Sequence, residues 1–405
     1  MSKRLVGHIE KRGPNKYRLT ASGGFDSNGK RIRHRRTVTA KNDKEAEKLL
    51  AQFITELEGG DYYEPSKLTV KGFIEKWLLE YAEANLAPKT LYRYREIINS
   101  RIIPALGHLT LDRIKPLHIV EFENSLRKDG ARLDGKPGGL SERTILHHHR
   151  ILSIIFNTAV TWGVLKESPV ARVKAPRVPR KQAKAYTEEQ TAAMLAALES
   201  EPLKYRVMVH LALATGLRRG ELMGLEWRDI DFEAGTRDVR RASQYLKGKG
   251  VFTKDPKTEE SKRLVSLPAL TLHLLKTYKT EWLKGRLQVG DLWQGSDRLF
   301  VTWDGQPMHP DTASNWFSAF LKRHNLPHIG FHGLRHTSAT LLIRQGVDVR
   351  AVSSRLGHSR TSTTLDVYVH ALRSADKAAA EVMNDIVGSN LGDSLGTNRA
   401  KSGPK

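Results

Sequence analysis

Phe331-His332-Gly333-Leu334-Arg335-His336-Thr337 is the stretch on which the reading of this chain turns. On a helix, His332 and Arg335 stand at i and i+3 and share one face. Three further segments carry matching chemistry: Ala214-Thr215-Gly216-Leu217-Arg218-Arg219-Gly220-Glu221-Leu222 upstream, then Leu356-Gly357-His358 and Leu365-Asp366-Val367-Tyr368-Val369-His370 downstream. Singly these say little, because arginine is the commonest phosphate-pairing side chain and a lone histidine or tyrosine is more often a hydrogen-bonded core residue. Together they bring two arginines, two histidines and a tyrosine into one region. That set suits a reaction at phosphate, with guanidinium to grip two oxygens, imidazole to move a proton and a phenol to attack.

The composition agrees with a polyanionic partner. Lys and Arg number 67 against 44 Asp and Glu, a net charge of +23, and a field of that sign favours nucleic acid over other partners. A membrane is disfavoured, since no apolar run reaches the roughly 18 residues of a span and no long basic amphipathic helix stands out. With no cysteine, disulfides and thiolate metal sites are excluded, and the start MSKRLVGHIEKRG lacks an apolar signal core, so a cytoplasmic location is expected. At 405 residues with 39% hydrophobic content, the chain is expected to fold as two or three domains.

Working outward toward the N-terminus, the turn signals Gly13-Pro14-Asn15 and Ser27-Asn28-Gly29-Lys30 divide residues 5–40 into three short strands. A helix follows, opened by Asn42 with Glu45 three residues on, and carrying Ala46, Leu49, Leu50, Phe53, Ile54 and Leu57 at helical spacing. The third strand, Lys30-Arg31-Ile32-Arg33-His34-Arg35-Arg36, is dense with cations, and residues 1–60 hold 14 Lys/Arg against 7 Asp/Glu. A solvated strand face would look the same, but a ribbon carrying Arg31, Arg33 and Arg35 can also enter the major groove of DNA. Residues 59–66 form a polar hinge, after which Phe73, Ile74, Trp77, Leu78 and Tyr81 begin a helical domain continuing through 90–103, 117–126 and 141–162. Lys89, Arg93 and Arg143 on those helices are candidate phosphate contacts. The run His147-His148-His149 invites a metal reading, which fails because adjacent helical residues project about 100° apart. Residues 172–185 hold six Lys/Arg, two prolines and no acid, and read as an extended basic linker. A third, mainly helical unit opens with the cap Thr187-Glu188-Glu189-Gln190 and includes a β-hairpin around residues 236–268. The expected class is multidomain α+β: a three-stranded sheet plus helix over 1–62, an all-α domain over 67–171, the linker 172–185, a mainly α domain with a small sheet over 186–387, and a mobile tail over 388–405.

The order Arg218, then His332-x-x-Arg335-His336, then Leu356-Gly357-His358, then Tyr368 ten residues later resembles the signature of the tyrosine recombinase, or phage integrase, family. The likeness spans the third domain. The helical domain resembles that family's core-DNA-binding domain, and residues 1–60 resemble the arm-binding domain of integrases from phages and conjugative transposons. What the resemblance implies is a site-specific recombinase that cuts and rejoins double-stranded DNA at attachment sites without metal or cofactor, as a homotetramer on DNA. An excisionase and a host DNA-bending protein are the implied partners. Arg218 and Arg335 would clamp the scissile phosphate and Tyr368 would attack it, leaving a 3′-phosphotyrosyl link. His332 would act as general base or orienting donor, and His358 would hydrogen-bond the phosphate. A lysine on the hairpin would protonate the departing 5′-oxygen. Lys257 is the choice, with Lys254 and Lys262 as competitors. Glu221, one turn after Arg218, would pair with that arginine or a neighbour, Arg219 would be a surface or phosphate contact, and His336 and His370 would help pack the site.

Three other readings account for less. A non-catalytic DNA-binding or architectural protein explains the charge, but needs no ordered set of two arginines, two histidines and a tyrosine. A metal-dependent nuclease would need clustered carboxylates that the sequence does not show. A relaxing topoisomerase would have no use for a second DNA address at the N-terminus.

Overall fold

A computed structural model describes residues 6–25, 29–58, 68–179, 184–254, 263–357, 380, 382–384 and 387. His358, Tyr368, Lys257 and Lys262 lie outside the described residues, and Lys254 lies within them. The chain divides into two compact units, residues 1–180 and 181–405.

The first unit opens with an antiparallel sheet of β1 (Gly7–Gly13), β2 (Lys16–Phe25) and β3 (Arg31–Thr39) in that order. Alternation along the strands sorts the two faces. Ile9, Tyr17, Leu19, Ala21 and Val38 point to one side, where they meet Ala46, Leu49, Leu50, Phe53 and Ile54 of α1 (Asp43–Glu58). Asn42 accepts the Glu45 backbone N–H at 2.9 Å, while Glu45 reaches back to the N–H of Lys41 rather than to Asn42 itself. The other side carries Arg31, Arg33 and Arg35, all exposed on β3, facing Thr20 and Ser22 of β2.

The helical part of this unit comprises α2 (Val70–Trp77), α3 (Glu83–Asn85), α4 (Pro88–Ile97), α5 (Ile103–Leu106), α6 (Pro116–Arg127) and α7 (Glu142–Thr161). Single π-turns, Leu78–Ala82 and Ile98–Ile102, join α2 to α3 and α4 to α5, so each pair runs on as one helix. Thr69 caps α2 and Ser141 caps α7 through their hydroxyls. Phe73, Ile74, Trp77, Ile98, Ile102, Ile119, Ile151, Leu152, Ile155 and Phe156 fill the core, and Trp77 Nε1 donates to Thr158 Oγ1.

In the second unit α8 (Glu188–Leu198) begins with a reciprocal cap between Thr187 and Gln190. It is followed by α9 (Leu203–Thr215) and the short α10 (Arg219–Met223). The expected hairpin is two nested pieces. β4 (Ile230–Asp231), β5 (Thr236–Asp238) and β8 (Leu264–Ser266) make a small antiparallel sheet in the order β4-β5-β8, and β6 (Ala242–Leu246) pairs separately with β7 (Gly250–Lys254). Then come α11 (Ala269–Val289), α12 (Pro310–Arg323), α13 (Gly333–Arg344) and α14 (Val349–Leu356). The core gathers Val207, Leu211, Leu222, Leu275, Phe300, Phe317, Phe320 and Leu334. A smaller cluster of Ala339, Ile343, Val352 and Leu356 locks α13 to α14.

Candidate active site

The Arg218 segment, the His332 segment and the described part of the third, Leu356-Gly357, converge at the ends of α9, α10, α13 and α14, while the Tyr368 segment lies outside the described residues. α9 stops at Gly216, which adopts a left-handed backbone (φ +61°) and packs so tightly on Leu356 that a Cβ there would lie 2.2 Å from Leu356 Cδ2. The turn delivers Arg218 to the N-cap of α10, where its backbone N–H donates to Glu221 Oε2 at 3.1 Å and its Nη1 donates to Glu221 Oε1 at 2.8 Å. Arg218 Nη2 donates to the carbonyl of Gly357 at 3.0 Å, the residue before His358. Arg335, buried in the first turn of α13, donates from Nη1 to the carbonyl of Gly216 at 2.7 Å. Two backbone carbonyls therefore tie three sequence-distant segments into one site.

Around this frame the charges are arranged unevenly. Glu221 is buried and accepts from Arg263 Nη2 at 3.1 Å as well as from Arg218. Burial works to raise its pKa, but Arg263 and then Arg218 outweigh that, so the carboxylate is held below its ordinary range. Arg263 also donates from Nε to the Arg355 carbonyl at 2.7 Å, and Arg355 reaches the carbonyls of Ala214 and Ser266. Arg237, at the centre of β5, is fully buried and its guanidinium has no hydrogen-bond partner among the described residues. Burial, aided by Arg263 and Arg355, pushes its pKa down to about 9.

His332 stands at the N-cap position of α13, without a side-chain capping bond and with one side open to solvent, yet burial by surrounding protein and the charges of Arg335 and Arg218 lower its pKa. The imidazole is therefore neutral at pH 7, the form that can accept a proton. His336 lies edge-on to it, with ring centroids 4.9 Å apart, and burial with His332 and Arg335 takes its pKa to about 4. Arg219 turns away from this centre to Asp311 (2.7 Å) and Ser314 (2.8 Å) on α12. Arg237, Arg263 and Arg355 were not singled out from the sequence. Their signal is faint: Arg237 and Val239 are the alternate, inward positions of a strand that otherwise reads polar.

The candidate DNA contacts fall in two places. Arg31, Arg33 and Arg35 line a shallow depression on the open face of the N-terminal sheet, together with His8, Arg12 and Arg18. On the helical domain Lys89, Arg93 and Arg143 are exposed. Arg93 is held by Glu96 at 2.6 Å and lines a groove with Arg101, Arg132 and His148. The three adjacent histidines diverge as expected. His147 meets Tyr94 edge-on, His148 Nδ1 lies 2.7 Å from the Thr144 carbonyl, and His149 Nδ1 lies 2.7 Å from buried Glu123.

Comparison with known proteins places this architecture. The profile of the phage integrase family matches residues 184–374, and that of the phage integrase N-terminal SAM-like domain matches residues 69–127. A tyrosine recombinase of Thermosipho africanus is 33% identical over 232 residues, covering 56% of this chain and 72% of the relative. A XerC-like tyrosine recombinase of Caldanaerobacter subterraneus is 29% identical over 394 residues, covering 93% and 97%. Among solved structures, the Tn1549 transposon integrase in complex with circular intermediate DNA superposes with a TM-score of 0.64 at 22% identity over 78% of this chain and 99% of that one, a likeness of fold. No helix among the described residues is long and apolar enough to cross a membrane. The chain belongs to the phage integrase family: it is a tyrosine recombinase, an enzyme of site-specific recombination that cleaves and rejoins DNA.

Proposed function

We propose that the chain is the integrase of a prophage or conjugative element, that Tyr368 is its nucleophile, and that it works in the cytoplasm of a bacterial host. The observation that carries this reading is the pair of carbonyl contacts, Arg335 to Gly216 and Arg218 to Gly357, which bring both arginine segments to the residue preceding His358. Arg218 and Arg335 take the non-bridging oxygens of the scissile phosphate and stabilise the charge of the pentacoordinate transition state. Neutral His332 accepts the phenolic proton or orients the phosphate, and His358 donates to a phosphate oxygen. Tyr368 attacks phosphorus, the bond to the 5′-oxygen breaks, and that oxygen takes a proton from Lys257, with Lys254 and Lys262 as the competing donors.

In this reading residues 67–171 grip the core site through Lys89, Arg93 and Arg143, and residues 1–62 read a second, arm-type address through Arg31, Arg33 and Arg35. The basic linker 172–185 lies along the DNA, and the tail 388–405 carries no chemistry. Exchange between two duplexes needs four cuts, so the working form is a homotetramer on DNA, with an excisionase and a host bending protein setting direction. The test is covalent capture. Nicked duplexes tiled across the DNA flanking the gene are expected to yield a protease-sensitive protein–DNA adduct without added metal. Persistence of the adduct in Tyr368→Phe overturns the assignment of the nucleophile.

A further inference from the structure

Glu221 is gripped from two sides by arginines of different character. Arg218 keeps a side chain 41% exposed, whereas those of Arg263 and Glu221 are 7% and 8% exposed. Arg218 can meet a phosphate arriving from solvent, and Arg263 cannot. What Arg263 does touch is the support of Arg218. It donates to Glu221 Oε2, the oxygen that also receives the Arg218 backbone N–H, and leaves Oε1 for the Arg218 guanidinium. Its Nε holds the Arg355 carbonyl in the last turn of α14. Its guanidinium packs closely against Gly357, where a Cβ would sit 2.6 Å from Nη1, and the carbonyl of that glycine is the second anchor of Arg218. Both points that fix the Arg218 guanidinium, the Glu221 carboxylate and the Gly357 carbonyl, are thus held in turn by Arg263.

The geometry points to Arg263 as a positioning residue for strand cleavage, one that acts through Glu221 and the end of α14 to aim Arg218 at the scissile phosphate without touching DNA. The inference rests on the reading that Arg218 binds that phosphate. A bidentate guanidinium contact depends on orientation as well as charge, so an Arg218 free to swing keeps its attraction for DNA and loses its hold on the transition state. Removing Arg263 also strips Glu221 of the cation that most favours its ionised form.

The experiment measures the single-turnover rate of covalent adduct formation on a nicked duplex that the parent protein cleaves, together with the affinity for that duplex and the thermal unfolding midpoint. Arg263→Lys, which keeps the charge but not the fork, is expected to cleave on the order of 10-fold more slowly or worse, with affinity within about 2-fold of the parent. Arg263→Gln is expected to lose more. Combined with Glu221→Gln, neither substitution is expected to slow cleavage further, because residues acting as one unit are non-additive. Cleavage by Arg263→Lys within 2-fold of the parent, or losses that multiply with Glu221→Gln, overturns the proposal. If Arg263→Gln does not fold, Arg263→Lys alone decides. A parent that forms no adduct on any duplex strikes instead at the roles proposed for Arg218 and Tyr368, so the two failures are distinct.

Discussion

Replacing Arg237 by methionine should make this protein more stable. The guanidinium sits at the centre of β5 with no exposed surface and no hydrogen-bond partner among the described residues, and its pKa falls to about 9. Against an ordinary guanidinium value above ~12, at about 1.4 kcal/mol per pH unit, that corresponds to roughly 4–5 kcal/mol of disfavoured charge. Methionine follows the aliphatic stem and removes the charge, but it leaves the space of the guanidinium partly unfilled and forfeits the attraction to Glu221 and Asp229. The net expectation is a gain of ~1–3 kcal/mol, within the range found when buried charges give way to apolar side chains. Urea unfolding of the full chain followed by tryptophan emission reads this directly, since five of the seven tryptophans (227, 282, 293, 303 and 316) lie in the second unit. The pH dependence supplies a second arm. A cation whose folded pKa lies below its unfolded one destabilises fully below the folded value, and the penalty fades as pH rises through it. The advantage of Arg237→Met should therefore be complete at pH 8 and smaller by roughly 1 kcal/mol at pH 10. A variant less stable than the parent, or an advantage unchanged between those pH values, would refute the reasoning by showing that Arg237 is compensated in the folded state.

Two further outcomes follow from the same site. Gly216→Ala should cost ~2–4 kcal/mol, since the left-handed backbone penalises any Cβ and this one would strike Leu356. Equilibrium unfolding within 0.5 kcal/mol of the parent would show that α9 can end differently. For His336, with its pKa near 4, the unfolded chain binds more protons between pH 6.5 and 4, so stability falls as the solution is acidified through that window. His336→Gln should lose roughly 2–3 kcal/mol less than the parent over the interval in parallel denaturant titrations, and equal losses would place the acid sensitivity elsewhere.

What could be read in advance and what could not divides along physical lines. The N-terminal sheet and α1 were legible because alternation and 3–4 spacing are local signals: Leu19 and Ala21 against Phe53, with Arg33 and Arg35 on the far side, follow from strand geometry once the turns are found. The Thr187 cap and the helices of the first unit were visible for the same reason. In the second unit the motif residues could be listed but not joined, since the contacts that unite them are to backbone carbonyls. Nothing about the letter glycine says that Gly216 and Gly357 are the acceptors for Arg335 and Arg218. The nested pairing of β5 with β8 around the β6-β7 hairpin was likewise hidden, because two- and three-residue strands carry too little alternation to set a register. Arg237, Arg263 and Arg355 escaped notice because a buried arginine and a surface arginine look alike until the partner strand is placed.

Those three arginines also explain why the site is costly to build. Glu221 pairs with Arg218 and Arg263, Asp229 and Glu226 pair with Arg241, and Glu226 also meets Arg298, while Arg237 and Arg355 lie close by, so guanidinium groups outnumber carboxylates here among the described residues. The pKa values of Arg237, Arg263 and Arg355 are depressed first by their burial, with neighbouring guanidinium groups adding to it, and for Arg263 the pairing with Glu221 works the other way. On the proposed reading of the site, this crowding of cations would be offset when a bound phosphate gathers negative charge on its way to five-coordination. On that reading stability and strand cleavage pull the same residues in opposite directions, and replacement should gain most stability where a buried cation has no hydrogen-bonding partner. Arg237 meets that description among the described residues, whereas Arg263, bonded to Glu221, does not.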